Sequence, residues 1–148
     1  MDFGITDEAH SSDLQWIRLR EDEFFLAAPT AWVRLDTAVA SLSDFRGYTF
    51  LLQETYGPEF QKALSDMGFT KFQRIYTNNG QSMLAMVEQR LGVTLVSELN
   101  QSICPANVTM LPTEPNYFRD LGIIARWETQ LDAPMLQFID ILKKVCAE

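Results

Sequence analysis

Residues 82–97 read SMLAMVEQRLGVTLVS, and this stretch decides the fold class. Its first half places apolar side chains at helical spacing, and Asn79 or Ser82 can cap that helix. Gly92 can end it. The block over residues 93–96 is apolar except for Thr94, which is typical of a strand covered on both faces. A helix that leads directly into such a strand predicts an α/β protein.

The alternation of helix and strand continues outward from this stretch. Pro58 opens a second helix, because its missing N–H costs nothing in a first turn, and Gly68 can end that helix. The alternation implies parallel strands joined by right-handed crossovers. The predicted strands are residues 3–5, 24–28, 48–52, 72–76, 93–96, 108–111 and 121–125, and the predicted helices are residues 58–67, 81–91 and 132–145, with a shorter turn of helix between 41 and 47.

Two connections suggest a division into lobes. The first runs from Pro29 to Ala40, where the proline stops a strand because it cannot donate to a sheet. The second covers residues 112–120, which contain two prolines. If both are crossings, residues 30–118 form one lobe, and residues 1–28 and 119–148 come together as another.

Composition and charge exclude several classes of function. The chain has 148 residues, of which 47% are hydrophobic and 22% charged, as in ordinary globular proteins. Twelve basic against twenty acidic residues give a net charge of −8, which argues against direct nucleic-acid contact. No apolar run approaches the roughly 20 residues of a membrane span, and residues 1–5 lack the basic start of a signal peptide. We expect a cytoplasmic protein without membrane contact.

Metal and catalytic sites are not indicated either. Cys104 and Cys146 lie far apart, and His10 is the single histidine, whereas a zinc site needs about four close ligands. Residues 21–23, Glu-Asp-Glu, read as a solvated charge run. No nucleophile motif or phosphate-binding loop occurs. We expect no metal, no cofactor and no enzymatic activity.

Three segments resemble, in order, the C-terminal part of the effector-binding (substrate-binding) domain of LysR-type transcriptional regulators. Residues 19–29, LREDEFFLAAP, are similar to the strand that leaves the first lobe. Residues 42–52, LSDFRGYTFLL, are similar to the short helix and strand that open the second. Residues 82–97 resemble the helix, turn and apolar strand that follow, and residues 2–5 resemble the strand that precedes all three.

The chain also departs from the family pattern. It lacks the winged helix-turn-helix DNA-binding domain and about the first 50–60 residues of the effector domain, at about 30 residues per βαβ unit. We therefore expect an N-terminally truncated domain. In the family, the missing part supplies a hydroxyl residue that commonly contacts the effector, so no residue here inherits that role. The strand after Gly92 runs into Ser97 and Glu98 where the family usually has proline.

The resemblance implies an α/β fold of the type II periplasmic-binding-protein kind, with two lobes joined by two crossover strands and the first lobe incomplete. It implies a domain that binds a small organic effector between the lobes and pairs as a homodimer. Two alternatives remain open: a ligand-free homo-oligomerisation module of the same fold, and a solute-binding protein. An open sheet edge at residues 3–5 would favour self-association into a dimer or larger assembly.

Candidate ligand-binding residues follow from a general rule for such folds. Ligands lie where the carboxyl ends of strands and the N-termini of helices face a cleft, and a helix N-terminus suits a carboxylate. Turns, caps and solvated loops are alternative roles for the same residues. The candidates are Thr6 after the first strand, Thr55 and Tyr56 before the helix at Pro58, Asn78, Asn79 and Gly80 before the helix at Gln81, and Leu95 in the strand that follows.

Overall fold

The structure is a computed structural model that describes residues 3–7, 14–54, 56–77, 79–126 and 133–147. Short 3-10 helices at Thr30–Trp32, Leu42–Phe45 and Glu98–Ile103 connect some of its main elements. The main elements are, in chain order, β1 (Phe3–Asp7), β2 (Leu14–Pro29), β3 (Ala40–Ser41), β4 (Phe50–Gln53), α1 (Pro58–Asp66), β5 (Phe72–Ile75), α2 (Gly80–Glu88), β6 (Thr94–Ser97), β7 (Val108–Arg126) and α3 (Ala133–Ala147).

The chain divides into two compact units. Unit 1 comprises Met1–Asp22 and Phe118–Glu148, and unit 2 comprises Glu23–Tyr117. β2 and β7 each run from one unit into the other. The first passage lies between Asp22 and Glu23, earlier in the chain than the connection at Pro29 suggested. The lobes predicted from the sequence, residues 1–28 with 119–148 and residues 30–118, stay a prediction.

Unit 2 contains the predicted parallel strands. β4 and β5 pair in parallel, from Phe50 opposite Phe72 to Gln53 opposite Ile75. Phe50 also bridges Val93 in parallel at the start of β6, and the Leu51 N–H donates to the Val93 carbonyl at 2.8 Å. β4, β5 and β6 therefore point the same way. On its other side, β6 pairs antiparallel with residues 24–27 of β2.

β4 and β6 are buried on both faces, as their apolar sequences predicted, whereas β5 exposes Gln73 and Arg74. Neighbouring residues alternate between two clusters, so that α1 covers one face of the sheet and α2 covers the other. The first cluster includes Leu26, Ala28, Phe50, Leu52, Leu95 and Leu64 of α1, and the second includes Phe25, Ala27, Leu51, Val96 and Met83, Leu84 and Val87 of α2. The prediction of an α/β fold is confirmed.

In unit 1, β1 pairs antiparallel with the end of β7, from Phe3 opposite Ala125 to Asp7 opposite Leu121. The prediction that residues 21–23 form a solvated charge run holds for Glu21, which is exposed, but is wrong for Asp22. Asp22 is completely buried, and its carboxylate accepts a hydrogen bond from Nε of Arg119 at 2.9 Å. A buried carboxylate requires such a partner, because transfer of an unpaired charge out of water is very costly.

Two element boundaries also differ from the prediction. Residues 108–111 and 121–125 belong to one continuous strand, β7, although a break at 112–120 was expected. Proline removes an N–H but keeps its carbonyl, and the Thr113 hydroxyl donates to the Pro115 carbonyl at 2.7 Å within this stretch. α2 ends at Glu88, before Arg90 turns left-handed with φ 61°, so Gly92 does not end the helix.

Candidate functional site

The carboxyl ends of three parallel strands meet at one edge of unit 2, which we call the carboxyl edge. β4 ends at Gln53, β5 at Ile75 and β6 at Ser97. The segment after β4 carries Tyr56, and the segment after β5 leads into α2. Because ligands of open α/β sheets bind outside the carboxyl ends of the strands, this edge is the candidate site.

The predicted residues are distributed unevenly over the described structure. Thr55 and Asn78 lie outside the described residues. Thr6 lies in unit 1, where its backbone pairs with Gly122 in β7, and its side chain is also outside the described part. Tyr56, Asn79, Gly80 and Leu95 belong to unit 2 and form two groups at or near the carboxyl edge.

The first group is centred on the Leu95 carbonyl. It accepts hydrogen bonds from the Tyr56 hydroxyl at 2.6 Å and from Nε2 of Gln53 at 3.2 Å. The Tyr56 ring packs against Phe60, with ring centroids 4.7 Å apart. The single hydroxyl proton of Tyr56 is therefore engaged within the protein, and the tyrosine can offer a ligand only an acceptor. Leu95 is itself buried, so its role in this arrangement is to position Tyr56 and Gln53.

The second group is the N-terminus of α2. Asn79 caps the helix as predicted: its Oδ1 accepts hydrogen bonds from the N–H groups of Gln81 at 2.9 Å and Ser82 at 3.4 Å. Asn79 is itself held by its N–H, which donates to Oγ1 of Thr77 at 3.1 Å. The Gly80 N–H has no acceptor among the described residues.

Asn100 completes the second group from the 3-10 helix that follows β6. Its Nδ2 donates to the Ser97 carbonyl at 3.2 Å. Its amide lies against Gly80 so closely that a Cβ on Gly80 would come 2.6 Å from Oδ1 of Asn100. Sequence reasoning missed Asn100 and Gln53. Ser97 could have been predicted, because ligands bind at the carboxyl ends of strands and Ser97 is the last residue of β6.

The two groups at the carboxyl edge are polar but carry no formal charge. They contain backbone N–H, amide and hydroxyl groups, and the α2 N-terminus adds a positive partial charge that favours an anion by about 0.3–1 kcal/mol. Burial raises the pKa of Cys104 and of Tyr117, but neither belongs to the two groups described above. Within the described ranges, no cluster of three or more His, Cys, Asp or Glu side chains could hold a metal ion. None of the helices described there is long and apolar enough to cross a membrane.

Comparison with known proteins identifies the family. A family model described as the LysR substrate binding domain matches residues 1–147. The chain belongs to this family. It is an effector-sensing regulatory domain with the type II periplasmic-binding-protein fold, as the resemblance of the three sequence segments implied.

Solved structures of LysR-type effector domains show the same fold at low sequence identity. The CcmR regulatory domain from Synechocystis PCC6803, in complex with 2-PG, is 14% identical with a TM-score of 0.73, over 98% of this chain and 73% of that one. The QuiR domain with shikimate is 14% identical with a TM-score of 0.75, over 99% and 72%. The BenM domain with benzoate is 20% identical with a TM-score of 0.75, over 99% and 70%. None of the curated proteins compared with the chain matched it.

Proposed function

We propose that this LysR-type domain senses a small organic carboxylate, and that the α2 N-terminus at the carboxyl edge binds the carboxylate group. The observation that carries the proposal is the unengaged Gly80 N–H, flanked by the side chain of Asn79 and the amide of Asn100. A backbone N–H at a helix N-terminus combines a hydrogen-bond donor with a positive partial charge. Thr6, Thr55, Tyr56 and Asn78 are also proposed as effector contacts.

The chemistry of related effectors supports a carboxylate. Shikimate and benzoate, which occupy the domains of QuiR and BenM, are both carboxylates. Glycine at position 80 lets the Asn100 amide lie directly beside the start of α2, since a Cβ there would come 2.6 Å from Oδ1 of Asn100. Net charge does not oppose such binding, since the charge of a site is local while the −8 of the chain is global.

A thermal-shift panel of acetate, succinate, shikimate and benzoate tests this proposal. A ligand that binds only the native state must raise the melting temperature. Any carboxylate that does so should bind more weakly to Gly80→Ala, whose methyl group would displace the Asn100 amide and cover the approach to the Gly80 N–H. Lys62→Ala, on the exposed surface of α1, is the control and should bind normally. Equal affinity of both variants would contradict the proposed site.

We also propose that the domain self-associates through unit 1. α3 buries Ile139 but exposes Phe138, Ile141 and Val145, which lie along a separate face. β1 pairs with β7 on one side, and no described residue pairs with its other side. Apolar surface beside an unpaired strand edge favours association. Sedimentation should show a dimer or larger species that Ile141→Glu disrupts, whereas a monomer at high concentration would exclude the proposal.

We propose that the domain binds its effector without catalysing a reaction. A sensing domain releases its effector unchanged, so nuclear magnetic resonance spectra of any bound carboxylate should be identical before and after prolonged incubation. We propose that the domain acts in the cytoplasm. We also propose that it makes no nucleic-acid contact of its own, because its net charge is negative. Chemical conversion of the ligand would favour an enzyme instead.

A further inference from the structure

Unit 2 contains a pocket that is separate from the carboxyl edge. Its volume is about 430 Å³, within the range of small-molecule sites. All of its walls come from residues 32–47, so it is complete within one short segment. It shares no residue with the two groups at the carboxyl edge, and its main walls are Trp32, Arg34, Ser41, Asp44, Phe45 and Arg46.

Hydrogen bonds hold the backbone just before this segment and at its middle. Before the segment, the Thr30 N–H donates to the Asn107 carbonyl at 2.9 Å, and the Thr30 and Thr109 hydroxyls are 2.8 Å apart. In the middle, Ala40 pairs in parallel with Thr113 in β7. These contacts restrain the backbone beside and within the pocket wall, and such restraint lowers the entropic cost of binding.

The pocket has an aromatic wall and an apolar floor. The rings of Trp32 and Tyr48 stack with centroids 4.1 Å apart and planes 5° apart. Tyr48 covers one face of the Trp32 indole, so the part of Trp32 that lines the pocket is the part that Tyr48 leaves uncovered. Phe45 and Ala40 are buried below. A planar ligand can pack against such a wall and floor.

Two arginines give the pocket a local positive charge within an acidic chain. The guanidinium of Arg34 makes no hydrogen bond or ion pair with any residue of the described ranges. Arg46 is held in place, because its Nη1 donates to the Ser43 carbonyl at 3.0 Å and its stem lies against Gly68. Asp44 supplies one opposing carboxylate. Both arginines line the pocket, and a guanidinium group can form charge-assisted hydrogen bonds with an anion.

We infer that this pocket is a second ligand site, which binds a small planar aromatic carboxylate. Arg34 and Arg46 receive the carboxylate, and Trp32 packs against the ring. Asp44 favours ligands that carry a hydroxyl or amino donor on the ring. This site does not depend on the carboxyl edge, and both can be occupied at once.

Titration of the ¹⁵N-labelled protein with benzoate tests this inference. Trp32→Phe identifies the Trp32 indole resonance among the three tryptophans. Benzoate should shift this resonance, whereas benzamide, which is planar but uncharged, should do so at least roughly tenfold less effectively, because only charged partners form the stronger hydrogen bonds. Cyclohexanecarboxylate, which has the charge without the planar ring, should also bind more weakly.

Variants connect the shift to the two arginines. Arg34→Gln should weaken benzoate binding about tenfold, and Lys62→Gln, the same charge change on exposed α1, should leave it unaltered. Gly68→Ala keeps every charge but places a Cβ 2.9 Å from Cδ of Arg46, and should weaken binding as well. Gly80→Ala separates this inference from the proposed function, since it should not change the Trp32 shift. An unmoved Trp32 resonance, or equal binding by Arg34→Gln and the native protein, would overturn the inference.

Discussion

Replacement of Asn79 by aspartate separates the two roles that the structure gives this residue. A carboxylate can accept the same hydrogen bonds from Gln81 and Ser82, so the helix remains capped. Its charge also interacts favourably with the helix dipole, by about 0.3–1 kcal/mol. We therefore expect Asn79→Asp to keep or raise the melting temperature, by up to about 2–4 °C for a protein of this size.

Binding of a carboxylate should respond in the opposite direction. Two like charges at about 5 Å and an effective dielectric constant of about 20 repel each other by about 3 kcal/mol. That energy corresponds to a Kd roughly 100-fold weaker. Asn79→Ala differs from this pattern: it removes the cap and costs about 1 kcal/mol of stability, but adds no charge to oppose the ligand.

Calorimetric titration with the most stabilising carboxylate of the panel measures the binding, and thermal unfolding measures the stability. Asn107→Asp is a matched control, because it adds the same charge to an exposed turn elsewhere in unit 2. Asn107→Asp should change the Kd by no more than about twofold relative to the native protein, because physiological salt screens the added charge. If Asn79→Asp folds normally and binds the carboxylate as tightly as the native protein, the α2 N-terminus is not the anion site.

Three further predictions concern stability and reactivity. Tyr56→Phe loses a 2.6 Å hydrogen bond to a β6 carbonyl and should lower the unfolding free energy by about 1 kcal/mol in urea; no loss would mean that this bond contributes nothing. Gly122→Ala would put a Cβ 2.4 Å from Cε2 of Trp16 and should cost about 1–3 kcal/mol; a fully stable variant would refute the close packing. Burial raises the pKa of Cys104, so iodoacetamide should alkylate it more slowly in folded than in unfolded Cys146→Ser protein. The contribution of the Cys104 thiol to the unfolding free energy is fully present at pH values below the thiol pKa of the unfolded protein, and it is lost as the pH rises through the thiol pKa of the folded protein. Equal alkylation rates in the folded and unfolded protein would contradict the raised pKa.

Local patterns predicted the elements of unit 2 well. Gly68 ends α1 with φ 102°, and Asn79 caps α2, because both roles depend on a few neighbouring residues. Continuous apolar runs predicted that β4 and β6 are covered on both faces, and the two core clusters confirm this. These features need no knowledge of distant parts of the chain.

Features that depend on distant residues were not predictable in the same way. Asp22 looks solvated in a run of three acidic residues, but Arg119 reaches its carboxylate from far along the chain. Gly92 looks like a helix stop, yet its actual constraint is close packing, since a Cβ there would lie 2.4 Å from the Thr49 carbonyl. Asn100 is unremarkable in the sequence and becomes relevant only because the fold sets its amide against Gly80.

The same contrast bears on how the effector of this domain can be identified. The buried faces of the sheet require apolar side chains of suitable size, a condition that many sequences meet, so the fold is shared at 14–20% identity. At the carboxyl edge, the donor of Gly80 belongs to the backbone and would be available with many different side chains nearby. A backbone N–H can recognise a carboxylate but cannot distinguish one carboxylate from another. If the Gly80 N–H binds the carboxylate as proposed, selectivity comes from the polar side chains beside it, Asn79 and Asn100, and variants at these two positions should change which carboxylate binds best.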